Sequence, residues 1–286
     1  MKTRSFAKIN LGIEVLGRRP DKYHEIRTLF QSIDLGDTLE LLSRADGEIV
    51  LAGTDPAIPW DERNLILKAA RLLKREFGVA AGAEIQVAKR IPPGKGLGGG
   101  SSNAAMALHA LSRLWELDPG REGLRALAAS LGADVPYFLE GGLCLGEGRG
   151  DVLTPLPDLP PLFGVLVLPP FPSLTADVYA RLPLTSLPED SRINGFLERK
   201  DFGLLENRLE ETVFNLFPRL ETIKSFFCQN EAVLSLVSGS GSAVFGLYRD
   251  REGARRARAD WPGPEEALLV ETLSRERYWL RVTAGV

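Results

Sequence analysis

Cysteine, histidine and methionine are nearly absent from this 286-residue sequence, with two of each. Cys144 and Cys228 are too few for a disulfide framework. With only His24 and His109 beside them, a zinc site of Cys and His ligands is not expected. The two cysteines read as free core thiols in a reducing compartment. Neither charge is in excess: 35 Lys+Arg against 38 Asp+Glu leave a net −3, which gives no electrostatic footprint for nucleic acid or an anionic membrane. A long apolar run is missing too. The longest, near residues 162–171, is broken by Pro169 and Pro170 and is too short to span a bilayer. The N-terminal MKTRSFAKINLG carries positive charge without the apolar stretch of a signal peptide. These absences lead to an expectation of a cytoplasmic protein, monomeric or homodimeric, whose partner is a small molecule, with no nucleic acid and no membrane.

The rest of the composition is that of an ordinary globular chain. It is 44% hydrophobic and 26% charged, with 29 Gly and 19 Pro, which sets aside collagen, coiled coil and wholesale disorder. The length suits one large domain or two modest ones. Alternation predicts strands at 37–42 and 48–52 around a turn at 44–47, and another at 84–89. Apolar positions 65, 66, 69, 72, 73 and 77 have helical spacing, with Asp61 or Asn64 as start and Gly78 as stop. Further helices are predicted over 103–117, 122–131, 206–217, 219–227 and 251–260. Strands are predicted at 163–168, on both sides of a glycine turn within 233–248, at 267–271 and at 278–283. Four prolines in 155–161 mark a domain junction, dividing the chain into 1–154 and 155–286.

The densest signal is Pro92-Pro93-Gly94-Lys95-Gly96-Leu97-Gly98-Gly99-Gly100-Ser101-Ser102, between a predicted strand and a predicted helix. Glycines there let a ligand approach the backbone closely. The helix that follows turns its free N–H groups and the positive end of its dipole toward the loop. That is the chemistry of a phosphate site, to which the two serine hydroxyls and Lys95 can add. The loop does not match GxxxxGK[ST]. GxGxxG occurs at Gly94, Gly96 and Gly99. However, a dinucleotide fold wants that motif after its first strand, with an acidic residue about 20 positions on that closes a second strand. Here Glu116 and Asp118 end a helix.

Gly-Leu-Gly-Gly-Gly-Ser-Ser-Asn-Ala-Ala at 96–105 resembles the second motif of the GHMP kinases, P-x-x-x-G-L-G/S-S-S-A. Other stretches match one branch of that family in order: Ala7-Lys8-Ile9-Asn10-Leu11, Arg19-Pro20-Asp21-Lys22-Tyr23-His24-Glu25, Gly132-Ala133-Asp134-Val135-Pro136-Tyr137-Phe138, and Ser238-Gly239-Ser240-Gly241-Ser242-Ala243-Val244-Phe245-Gly246. Together they run from residue 7 to 246, along nearly the whole chain. Lys95 stands where the family more often has a small residue, and Asn103 where it often has Asp.

The resemblance implies an α+β, two-domain GHMP kinase fold with the active site in the cleft. It also implies transfer of the γ-phosphoryl of ATP, with Mg2+, to a polyol carrying cytidine diphosphate. Asp134 is then the base and Lys8 the cation beside it; taken alone, Asp134 reads as a helix cap and Lys8 as an exposed lysine. Asn10 would orient the reacting hydroxyl, while Tyr23, His24 and Tyr179 would hold the cytosine. Thr175 would take the diphosphate or diol, and Gly239 and Ser240 would frame the site. Asn64 would line the nucleotide pocket or cap its helix. No protein ligand to the metal is assigned. The alternatives are a sister kinase for another small alcohol, an inactive nucleotide-binding regulator, and an oxidoreductase resting on GxGxxG.

Overall fold

The structure, a computed structural model, describes residues 1–21, 23–183 and 191–284. Two antiparallel hairpin arms open the chain: β1 (Lys2–Arg18) and β2 (His24–Arg44). They are followed by β3 (Ile49–Gly53), α1 (Leu65–Phe77), β4 (Gly82–Ala88), α2 (Gly99–Leu114), α3 (Gly120–Leu131) and α4 (Tyr137–Glu140). Next come β5 (Leu143–Glu147), β6 (Val152–Pro155), β7 (Phe163–Leu168), α5 (Thr175–Ala180), α6 (Arg192–Arg199), α7 (Glu210–Leu216) and α8 (Arg219–Gln229). The chain closes with β8 (Leu234–Val237), β9 (Val244–Tyr248), α9 (Arg251–Ala259), β10 (Glu266–Glu271) and α10 (Arg275–Thr283).

A six-stranded sheet runs β3-β4-β2-β5-β6, with β1 paired to β2, and a four-stranded sheet runs β10-β7-β9-β8. The long β2 pairs β1 on one side. On the other it passes from β5 at Thr28–Gln31 to β4 at Thr38–Arg44. The strands predicted at 37–42 and 48–52 both exist but do not form a hairpin, because β4 lies between β2 and β3, and β3 runs parallel to β4.

The periodicity missed most of β1 and the first half of β2. Residues 5–14 of β1 are buried without interruption, and a strand covered on both faces shows no alternation to read. Phe6 joins the core beneath α1 and α2, whereas Ala7, Ile9 and Leu11 join a core shared with Leu166, Phe245 and Leu247 of the second sheet. The two halves therefore share one apolar interior. The helix expected from 206 begins at Glu210.

The largest departure is at the C-terminus, where 278–283 is helix α10 and not a strand. Tyr278 and Val282, four apart, are fully buried, and Ser274 caps the helix by accepting from the Arg277 N–H. The aromatic and β-branched residues there favour strand weakly, and burial of one helical face overrides that preference. α10 packs back on β1, with the Thr3 hydroxyl donating to the Val282 carbonyl. Of the two cysteines expected in the core, Cys144 is buried and Cys228 is exposed on α8.

Candidate active site

The register of β1 against β2 slips between Phe6 and Lys8 and again between Asn10 and Gly12. Such bulges re-aim side chains at the edges of sites. Lys8 and Asn10, two apart, share a strand face, and both open onto a cavity of about 1060 Å³ lined from both halves of the chain. A single small-molecule pocket occupies roughly 300–1,000 Å³, so this one has room for two reactants.

The glycine loop forms part of the wall. Residues 92–101 all line it. Gly98 caps α2 with φ +69° and no side-chain cap, so the first-turn N–H groups at Gly99, Gly100 and Ser101 are left for a ligand. Gly96, at φ +73°, passes so close to the second glycine turn that a Cβ would lie 1.9 Å from the Ser238 carbonyl oxygen. Ser238 Oγ donates to the Gly96 carbonyl (2.8 Å), Ala243 N–H to the Lys95 carbonyl (3.2 Å) and Ser173 N–H to the Gly94 carbonyl (3.0 Å). The Lys95 side chain is nearly buried, and its ammonium donates to the carbonyls of Pro169 and Phe171, each at 2.5 Å. Its ammonium is thus engaged by two backbone carbonyls and ties the loop to the segment after β7.

Ser102 does not line the cavity; it is fully buried, and its hydroxyl donates to the Phe6 carbonyl. Asn64 also stays outside the lining, although Leu65 is in it. Its Oδ1 accepts from Ile66 N–H and its Nδ2 donates to the Pro59 carbonyl, which makes it the cap of α1.

Beside the loop, where a Cβ on Gly98 would lie 3.3 Å from Lys8 Cγ, Lys8 Nζ is 3.8 Å from Asp134 Oδ2. The Lys8 side chain is 5% exposed and that of Asp134 38%, so the cation is built into the wall and the carboxylate is presented to the cavity. Asp134 sits in the turn between α3 and α4. It caps neither helix: the cap position of α4 is Pro136, with no side-chain bond. Burial lowers the Lys8 pKa and the Asp134 charge opposes that shift. Lys8 Nζ donates to Asn10 Oδ1 (2.6 Å), Asn10 Nδ2 to Thr28 Oγ1 (2.8 Å) and Thr28 Oγ1 to the Gly12 carbonyl (2.8 Å). This buried chain fixes which way both side chains point.

Another part of the wall is aromatic. The rings of His24 and Tyr179 are 4.9 Å apart, and the Arg149 guanidinium lies 5.2 Å from the Tyr23 ring centroid. Tyr23 is 55% exposed. Lys22 of the same motif lies outside the described residues. Burial lowers the His24 pKa and neighbouring Arg18 adds to that, which favours the neutral imidazole. Burial, then the Asp134 charge, pushes the Tyr179 phenol up, so it stays protonated. Thr175 Oγ1 and Ser240 Oγ share a hydrogen bond of 2.9 Å, joining α5 to the second glycine turn, and Gly239 and Ser240 complete the wall.

Residues 64–142 match the GHMP kinases N terminal domain and residues 194–265 the GHMP kinases C terminal domain. A protein of Pelotomaculum thermopropionicum, a 4-diphosphocytidyl-2-C-methyl-D-erythritol kinase, is 42% identical over 271 residues, covering 92% of this chain and 94% of that protein. The chain belongs to the GHMP kinase family. A crystal structure of a 4-(cytidine 5'-diphospho)-2C-methyl-D-erythritol kinase superposes with TM-score 0.83 at 36% identity, over 95% of this chain and 99% of that one. The homoserine kinase of Cytophaga hutchinsonii shares the fold, with TM-score 0.76 over 96% of this chain and 95% of that one at 18% identity. For a GHMP kinase the spread of site residues along the sequence is expected, since β1, the glycine loop, the turn before α4 and the second glycine turn all meet at one cavity. Of the polar lining residues, Arg18, Thr28 and Arg149 lie outside every motif the sequence reading quoted. Thr28 looks like any strand threonine until its partners are known. Arg149 stands in a Gly-Arg-Gly turn that no motif flags.

Proposed function

We propose that this chain transfers the γ-phosphoryl of ATP to the 2-hydroxyl of 4-diphosphocytidyl-2-C-methyl-D-erythritol, giving the 2-phosphate and ADP, a step of non-mevalonate isoprenoid biosynthesis. The observation that carries the reading is the Lys8–Asp134 pair, which lines one cavity together with the glycine loop and the Tyr23, His24 and Tyr179 rings. ATP would lay its phosphates on the loop backbone and the N-terminus of α2, with Ser101 beside them. The acceptor would extend toward Tyr23, His24 and Tyr179. Stacking holds a nucleobase by its face, and a neutral imidazole offers both a donor and an acceptor to its edge.

The chemistry is chiefly positioning and charge stabilisation. The acceptor hydroxyl passes its proton to an Asp134 carboxylate oxygen as its bond to phosphorus forms. The bond from the γ-phosphorus to the bridging oxygen breaks, and the electron pair leaves with ADP. The Lys8 ammonium keeps Asp134 ionised and offsets charge growing on the attacking oxygen. Asn10, anchored by Thr28, holds Lys8 in register and faces the same hydroxyl. Thr175, Gly239 and Ser240 would border the diphosphate. Among the described residues no group of three His, Cys, Asp or Glu side chains converges on a metal site. Mg2+ would be carried chiefly on phosphate oxygens and water, with the Asp134 carboxylate and the Ser101 hydroxyl as the oxygen donors the cavity offers, and would offset charge on the transferring phosphoryl group. A cytoplasmic monomer or homodimer acting on soluble substrates suits the near-balanced charge.

The test is ADP release with Mg2+ and ATP, comparing the cytidine compound with the same polyol phosphate lacking CMP. Turnover of the cytidine compound alone is the expected result. Equal turnover of both removes the nucleobase clamp, and turnover of neither by folded, ATP-binding protein removes the substrate assignment.

A further inference from the structure

The glycine loop is held in the middle by the second half of the chain, but its two ends meet a group that no part of the reaction uses. Asp37 lies on β2, opposite Ser5 of β1, and is fully buried. Its Oδ1 accepts from the backbone N–H groups of Arg90 (2.6 Å) and Ile91 (2.8 Å), the two residues that lead into Pro92. Its Oδ2 accepts from Asn103 Nδ2 (2.9 Å), in the first turns of α2 just past Ser102, and from the Lys89 ammonium. Lys89 also donates to Asn103 Oδ1 (2.9 Å), and Asn103 Nδ2 to Ser5 Oγ (2.6 Å). Beneath the start of α2, a Cβ on Gly99 would lie 3.6 Å from the Lys89 ammonium and 2.8 Å from Ile91 Cγ2.

We infer that Asp37, with Asn103 and Lys89, is a positioning network for the nucleotide. One buried carboxylate ties the entry of the phosphate loop to its exit and so fixes where the α2 N–H groups point. The physical need is clear: a loop with five glycines in 94–100 has more freedom to lose than any other segment of its length, and preorganising it lowers the cost of binding. A neutral core would not serve, because Oδ1 must accept two backbone N–H groups while Oδ2 accepts a side-chain amide and an ammonium, and only a carboxylate accepts on both atoms. Lys89 supplies the compensating charge that a fully buried carboxylate requires.

The inference rests on the reading of the loop as the ATP site, and its test separates the two. Asn103→Ala removes one tie and leaves the ion pair. The double variant Asp37→Asn with Lys89→Met removes both charges together, so that no unpaired charge remains buried. For each, ATP Kd is measured by titration, acceptor KM by ADP release, and folding by thermal melting. The expected result is folded protein in which ATP Kd rises about tenfold or more while acceptor KM holds. ATP Kd equal to wild type in folded variants overturns the inference, as does a rise in ATP Kd and acceptor KM together that follows the loss of Tm. If the double variant does not fold, Asn103→Ala alone decides by the same criteria. Wild-type protein that binds ATP but does not turn over the cytidine compound would sink the substrate assignment and leave this comparison intact.

Discussion

In the proposed reaction Lys8 and Asp134 divide one task between a buried cation and an open carboxylate. Asp134→Asn keeps the shape and loses the basic oxygen, so kcat should fall by about 10²–10⁴-fold with both substrates still bound. Steady-state kinetics check this, and near-normal kcat would exclude Asp134 as base. The pH dependence follows from Lys8. Its pKa is lowered by burial, so the ammonium is lost at a lower pH than in a free lysine. A site that needs that charge loses kcat on the alkaline side earlier than an exposed lysine would allow. The kcat profile of wild type, set beside that of Lys8→Arg, reads this directly: the arginine variant keeps its charge, so its residual activity should lack the alkaline fall. Neither role was legible in residue type alone, because a lysine near the start of a chain and an aspartate before a proline are ordinary. The motif match singled them out, and the bulges of β1 bring them within 3.8 Å.

At the scale of elements, the glycine loop and α2 were readable because their signal is local. Glycines at 94, 96 and 98 take positive φ, and a helix starts where the loop ends. Gly96→Ala should cost about 1–2 kcal/mol for the left-handed backbone alone. It must also displace the Ser238 carbonyl, which its Cβ would meet at 1.9 Å. The expected outcome is a large rise in ATP Kd with the chain still folded, checked by titration and circular dichroism; unchanged affinity would mean the loop does not hold phosphate. Other elements were not local in this sense. β1 has no alternation because protein covers both its faces, and the edge partner of β3 is β4, some thirty residues on. Residues 64, 95 and 102 sit in or beside the nucleotide motifs, yet each is committed to a structural bond. A motif marks a neighbourhood and does not tell which of its side chains faces the ligand.

The whole molecule is closed by its last helix. Tyr278 is fully buried, stands 5.7 Å from the Phe6 ring and donates from its hydroxyl to the Phe138 carbonyl. Trp279 donates to the Glu140 carbonyl, and its indole lies against His109 of α2. α10 therefore backs β1, which carries Lys8, α4, which follows the Asp134 turn, and α2. Tyr278→Ala should cost about 3–5 kcal/mol, as other large aromatic truncations do. Urea unfolding checks it, and a loss under about 1 kcal/mol would make α10 peripheral.

Composition, the glycine loop and the ordered motifs were enough to decide the fold family, the kind of donor and the residues to test, because each is a property of neighbours in the chain. What only the tertiary structure decided is which groups meet. The Asp37 network, the Thr28 anchor, Arg149 at the Tyr23 ring and the helical state of 275–283 all depend on partners 18 to 279 residues away. The reason is physical. Local propensities differ by a few tenths of a kcal/mol per residue, whereas burying one aromatic face or one charged hydrogen bond is worth several times that. Where the two disagree, the packed interior prevails.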